Sequence, residues 1–151
     1  MSIQQTATTS FKVQLLQAVH NFGPTSPNTF KVALFTAAAN IDATTTAYTV
    51  GMTGEVTGTG YTQGGNTLTI SVSPTSGNNT SGIPTAYISF SNSTWSNASF
   101  TASGALIYNY SVSGYPSVAV LNFGSAKTVS NDTFQIIFPT PDANSAIVRI
   151  S

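Results

Sequence analysis

The chain has 151 residues, within the span of about 100 to 200 that a single domain usually occupies, so it can bury a core without metal or disulfide staples. Only 5% of its residues are charged, four basic and four acidic, with no two basic residues adjacent; this argues against a nucleic-acid partner, and the lack of Cys excludes disulfides and thiolate metal sites. The polar surface comes instead from 24 Thr and 20 Ser with many amides, and the zero net charge removes the self-repulsion that keeps copies of a protein apart.

Residues 1–9 are polar and read as a flexible arm that a partner would order. They lack the basic and apolar run of a secretory signal, and nowhere do 18 apolar residues follow one another, so synthesis in the cytoplasm with no membrane partner is expected. A helix is expected over residues 10–22: Ser10 can cap it, Phe11, Leu15, Ala18, Val19 and Phe22 share one side, and Gly23 with Pro24 stops it. His20, in its last turn, reads as a C-terminal cap or an exposed polar position.

Residues 30–36 set Phe30, Val32 and Leu34 against Lys31 and Ala33, with Phe35 adding apolar character to the second face, as in a central strand. In residues 37–48 alanines favour a helix that three consecutive threonines resist. Residues 50–66 hold six glycines and almost no aliphatic side chains, which reads as a long loop, mobile or facing a ligand. Residues 67–73 alternate cleanly, with Leu68, Ile70 and Val72 inward, and describe one strand with a wet face. Residues 74–84 carry dense turn chemistry, after which Ala86, Ile88 and Phe90 resume period two.

Residues 101–138 contain three apolar runs separated by the gaps 113–116 and 124–132, which reads as a meander of three strands joined by surface loops. Around Leu121 both parities are apolar, as in a strand buried on two faces. A last strand is expected over residues 146–150, with Arg149 outward. Seven or eight short strands and one helix make the chain all-β, an antiparallel β-sandwich or jelly-roll-like domain over residues 10–151 that includes the N-terminal helix.

The residues offer little to an enzyme. A Ser nucleophile needs a base, the chain has one His, and no Gly-x-Ser-x-Gly elbow occurs. Asp42, Glu55, Asp132 and Asp142 are scattered, so no carboxylate pair for glycoside hydrolysis is evident, and one His with isolated acids makes no tetrahedral metal set. The glycine-rich residues 58–65 lack the Lys-Ser/Thr pair of a phosphate loop. No cofactor is expected. Glycan binding needs aromatic platforms rather than charge, and Trp95, Tyr61, Tyr108, Tyr110 and Tyr115 are candidates. Trp95 and Tyr108 read as core; Tyr115, beside Gly114 and Pro116 at a loop tip, and Tyr61 read as exposed interaction residues.

Five blocks carry a resemblance: KVALFTAAANIDATTTAYT from residue 31, GEVTGTGYTQGGNTLT from 54, FTASGALIYN from 100, AVLNFGSAKTV from 119 and FPTPDANSAIVRIS from 138. Together they resemble a group of small structural proteins of tailed bacteriophages, over roughly residues 30–151. Ser103 stands where similar sequences often carry Arg, and residues 109–116 diverge from them. The resemblance implies a β-rich fold, cytoplasmic origin, assembly in many copies and no catalytic residues. Its nearest role is a capsid decoration, or cement, protein bound to the major capsid protein on the virion surface as a homotrimer or homodimer. The alternative is a tail or fibre component that recognises a host glycan.

Overall fold

The computed structural model describes residues 2–151. The two-sided apolar pattern around Phe30 is realised in β2 (Phe30–Phe35), where every residue except Lys31 is buried. A strand covered on both faces belongs inside a sheet, and β2 lies in a five-stranded one. Its order is β1 (Thr6–Ala7), β7 (Ser117–Ile136), β6 (Ser93–Asn109), β2 and β3 (Asn66–Leu68). A second, three-stranded sheet has the order β4 (Ile70–Asn78), β5 (Pro84–Phe90) and β8 (Val148–Ile150). All pairings between these strands are antiparallel, and among the described residues the one helix is α1 (Thr9–Leu16). The all-β class with an N-terminal helix is therefore as the sequence implies.

The main core draws on both sheets: Val32 and Leu34 from β2, Ala105 and Ile107 from β6 and Leu121 from β7 cluster with Ile88 and Phe90 from β5. Phe22 joins them from the chain after the helix, its ring flat on Phe30 with centroids 4.3 Å apart and planes 4° apart. A second cluster forms on the other side of the five-stranded sheet, where Ala33, Phe35, Leu106, Tyr108 and Val120 meet Ala39, Ile41 and Tyr48. The cover comes from the segment between β2 and β3. That segment includes the glycine-rich stretch expected to be mobile or to face a ligand, and the structure holds it down instead. Val56 N–H donates to the Leu34 carbonyl at 2.9 Å, and a Cβ on Gly65, at φ +70°, would overlap the Val32 carbonyl oxygen. Glycine is needed there because the backbone passes directly over the sheet.

The helix is shorter than the expected 10–22. Thr8, not Ser10, caps it, its hydroxyl accepting from Phe11 N–H at 3.4 Å. It stops at Leu16 because Ala18 turns to φ +57°, and the last turn closes with Ala18 N–H on the Leu15 carbonyl and Val19 N–H on the Gln14 carbonyl. This is a Schellman closure with Ala where Gly is usual. It redirects the chain so that His20 and Phe22 enter the core, which a continuous helix would forbid.

Three further expectations change. Residues 3–7, read as a flexible arm, lie along the first sheet: Thr6 pairs with Val120, Ala7 with Ala119, and Ile3 with Ile41. The single strand expected over 67–73 is broken at Thr69, where the chain leaves the first sheet as β3 and enters the second as β4. β4 then runs on to Asn78, so only Asn79–Ile83 forms the turn that was expected over 74–84. The three-strand meander is one hairpin of two long strands, β6 of 17 residues and β7 of 20. The gap at 124–132 lies inside β7, paired to β6 through Lys127, Thr128, Val129 and Asp132 while exposed to water over most of its length. Asn97 and Asn131, at φ +51° and +49°, mark irregularities in the two strands of this hairpin.

Candidate functional site

Glu55 is the centre of the polar structure above the outer sheet face. Its carboxylate accepts from Tyr48 Oη at 3.0 Å, from Tyr61 Oη at 2.9 Å and from Gly64 N–H at 2.7 Å. Tyr108 Oη donates to the Gly64 carbonyl at 2.7 Å. Burial, reinforced by the neighbouring Glu55 charge, pushes the Tyr48, Tyr61 and Tyr108 hydroxyls up from the ordinary tyrosine range, so each remains a donor. The node ties the glycine-rich segment to β2 and β6.

Tyr61 is therefore not an exposed interaction residue. Its hydroxyl also accepts from Leu34 N–H at 3.1 Å, and its ring packs edge-on against Phe100. Tyr115 is not a free loop tip either. It is half-buried at φ +47°, its ring parallel to that of Tyr110 at 5.2 Å, with Tyr108 and Tyr48 at 6.0 and 6.5 Å. Tyr110 is the exposed member of the group, and Lys31 Nζ lies 4.7 Å from its ring centroid. Tyr110 lies just past the end of β6, so no periodicity along the strand marked its exposure. Trp95 is buried in β6, as read from the sequence, with an indole N–H that finds no acceptor.

His20 is buried rather than exposed or capping. Nε2–H donates to Gln14 Oε1 at 2.9 Å, and Nδ1 accepts from Asn109 Nδ2 at 3.2 Å. Asn109 Nδ2 also donates to Asn28 Oδ1 at 2.9 Å. Phe11, Phe22 and Phe30 surround the imidazole. Burial lowers its pKa to about 4, so it is neutral at pH 7.

No family model, no curated protein and no solved structure matches this chain.

The remaining acids act locally. Asp42 Oδ1 accepts from the hydroxyl and N–H of Thr44, both at 2.7 Å, which lowers its pKa. Asp142 Oδ1 accepts from Asn144 and Ser145 N–H at 2.8 and 2.7 Å, and Asp132 Oδ1 from Thr133 N–H at 2.7 Å. The Asp42 and Asp142 bonds form turns, whereas Asp132 lies within β7. Among the described residues, no three His, Asp or Glu side chains come together as metal ligands, and no helix is long and apolar enough to cross a membrane.

Two cavities of about 360 and 380 Å³ lie between α1 and β8 and share Leu15, Val148 and Ile150 in their walls. Lys12 and Arg149 line the first, and the second is walled mainly by Phe22, Ala86, Ile88 and the shared aliphatic residues. Apolar surface and open space coincide in the second of these cavities, while the first is more polar.

Proposed function

We propose that this protein is a non-enzymatic structural component of a tailed-bacteriophage virion, a decoration protein that binds the major capsid protein on the outside of the head in many copies. The observation that carries the structural part of this reading is the use to which the reactive side chains are put. His20, with both ring nitrogens engaged, and Glu55, with three donors, hold segments of chain together, and Asp42 and Asp142 shape turns. The phage part is supported by the sequence resemblance, which spans the glycine-rich segment, the long hairpin and the final strand. A neutral surface of hydroxyls and amides suits contacts that tolerate salt, because few ion pairs would be screened.

The glycan-recognising alternative draws less support. A sugar platform needs an open aromatic face; Tyr61 is committed to Glu55, Tyr115 is half-buried against Tyr110, and the exposed Tyr110 has one ring neighbour in Tyr115 and Lys31 Nζ 4.7 Å from its centroid. The deciding experiment is mass spectrometry of separated heads and tails, followed by imaging of the particles. Hundreds of copies on heads are expected; a few copies on tails would overturn the decoration reading.

A further inference from the structure

β8 is the edge of the three-stranded sheet. It pairs with β5 through Val148, Arg149 and Ile150, and among the described residues no other backbone bonds to its outer side. An unpaired edge can template one more strand, and a charge on the edge restricts which strand can add. β8 has the two cavities beside it and α1 across from it, and neither fills the space.

The side chains say what such a strand would carry. Val148 and Ile150 alternate with Arg149, so the apolar pair lies on one face and the guanidinium on the other. Ile150 is 57% exposed, and across the groove the α1 side chains in the walls are Phe11, Lys12 and Leu15. Aliphatic side chains, Leu15 on one side and Val148 and Ile150 on the other, thus line both walls. Lys12 stands with Arg149 in the wall of the first cavity, so two of the chain's four cations are gathered here. No acidic side chain lines either cavity, and among the described residues neither cation has an acidic partner.

We infer that the groove between α1 and β8 binds an extended segment of another protein, of alternating apolar and acidic residues, which adds as a strand to the free edge of β8. Main-chain bonds to β8 would supply affinity, and the cavities would take alternate apolar side chains. The acidic residues would face Arg149 and Lys12. A second copy of this chain fits less well: two β8 edges meeting antiparallel about Arg149 would set one guanidinium against the other. Within the proposed function, on which the partner's identity rests, the segment would belong to the shell, and its pairs with Arg149 and Lys12 would be the salt-sensitive part of an otherwise salt-tolerant contact. The groove itself can be tested without particles.

The probe is an acetylated eight-residue peptide alternating valine and glutamate, with a valine and lysine peptide as control, followed by amide NMR of the labelled protein. The glutamate peptide is expected to shift and protect the amides of Val148–Ile150 and to perturb Lys12 and Leu15. A Lys12→Glu, Arg149→Glu variant, altered only at exposed side chains, should lose affinity for it by about tenfold or more and gain affinity for the lysine peptide. Equal binding of both peptides, shifts confined to another surface, no binding at millimolar peptide, or protection of β8 by self-association alone would each overturn the inference. None of these outcomes decides where the protein sits on a particle.

Discussion

Asn109 Nδ2 meets His20 Nδ1 at 3.2 Å, and this contact joins the strand β6 to the chain that leaves α1. The bond exists only while Nδ1 is unprotonated, because a proton there would face a donor. Among the described residues no charged group faces the ring: its neighbours are Gln14, Asn28, Asn109 and the rings of Phe11, Phe22 and Phe30, and burial depresses its pKa. The unfolded chain takes up the proton near pH 6.5, the folded chain only near 4. Stability is therefore complete above pH 6.5 and falls as the pH drops toward 4, by at most about 1.4 kcal/mol per pH unit from this group. Urea unfolding of the parent and of His20→Asn between pH 7 and 4.5 checks this. The variant should show a shallower loss; an identical slope would assign the acid sensitivity to the carboxylates. As the chain has one His, its NMR titration is unambiguous.

Ala18 closes the helix at φ +57°, where a Cβ is strained and glycine is not. It is exposed, so no packing is lost on removing its methyl group. Ala18→Gly should stabilise the fold by about 0.5 to 1 kcal/mol, and Ala18→Val should destabilise it, since a β-branched residue tolerates that region least. Denaturant midpoints read both changes. A loss of stability in the glycine variant would mean that the turn does not hold this conformation in solution.

Glu55 accepts from two hydroxyls and one amide, and a glutamine has a single oxygen to offer them. Glu55→Gln should cost about 1 to 3 kcal/mol, the usual effect of leaving a buried donor unpaired. The damage should be local at first: hydrogen exchange should rise at Gly64 and through the glycine-rich segment before it rises in β2. Exchange that rises uniformly would show that the segment does not open separately from the sheet.

Ring stacking of Phe22 on Phe30 anchors the same non-helical stretch that carries His20. Phe22→Ala should destabilise the protein by about 3 to 5 kcal/mol, as large-to-small changes in a packed core do. The circular-dichroism signal of the eight-residue helix should be nearly unchanged at pH 7, because Phe22 lies outside it. A large fall in helicity would place Phe22 within a longer helix.

The period-two runs in β2 and β5 were legible because alternation is a local property: each strand's side chains sort between two faces whatever its partners are. The double-sided apolar pattern of β2 and around Leu121 carried more, since it required cover on both faces of one sheet. What it did not contain was the cover's identity. The glycine-rich segment carries few aliphatic side chains and looks mobile until Glu55 is seen accepting from Tyr48, Tyr61 and Gly64.

Sequence alone thus determined the all-β class and the central strand, which follow from composition and short-range periodicity. Tertiary structure decided the rest. It buried His20, sequestered Tyr61 and Tyr115, extended two strands through a stretch of Ser, Thr and Asn, and left β8 with a free edge beside α1. Each of these depends on which distant backbone lies alongside. Hydrogen-bond pairing between residues many positions apart is invisible to a pattern read along the chain, and it can hold polar residues in a strand or bury a polar ring wherever partners for its bonds are brought to it.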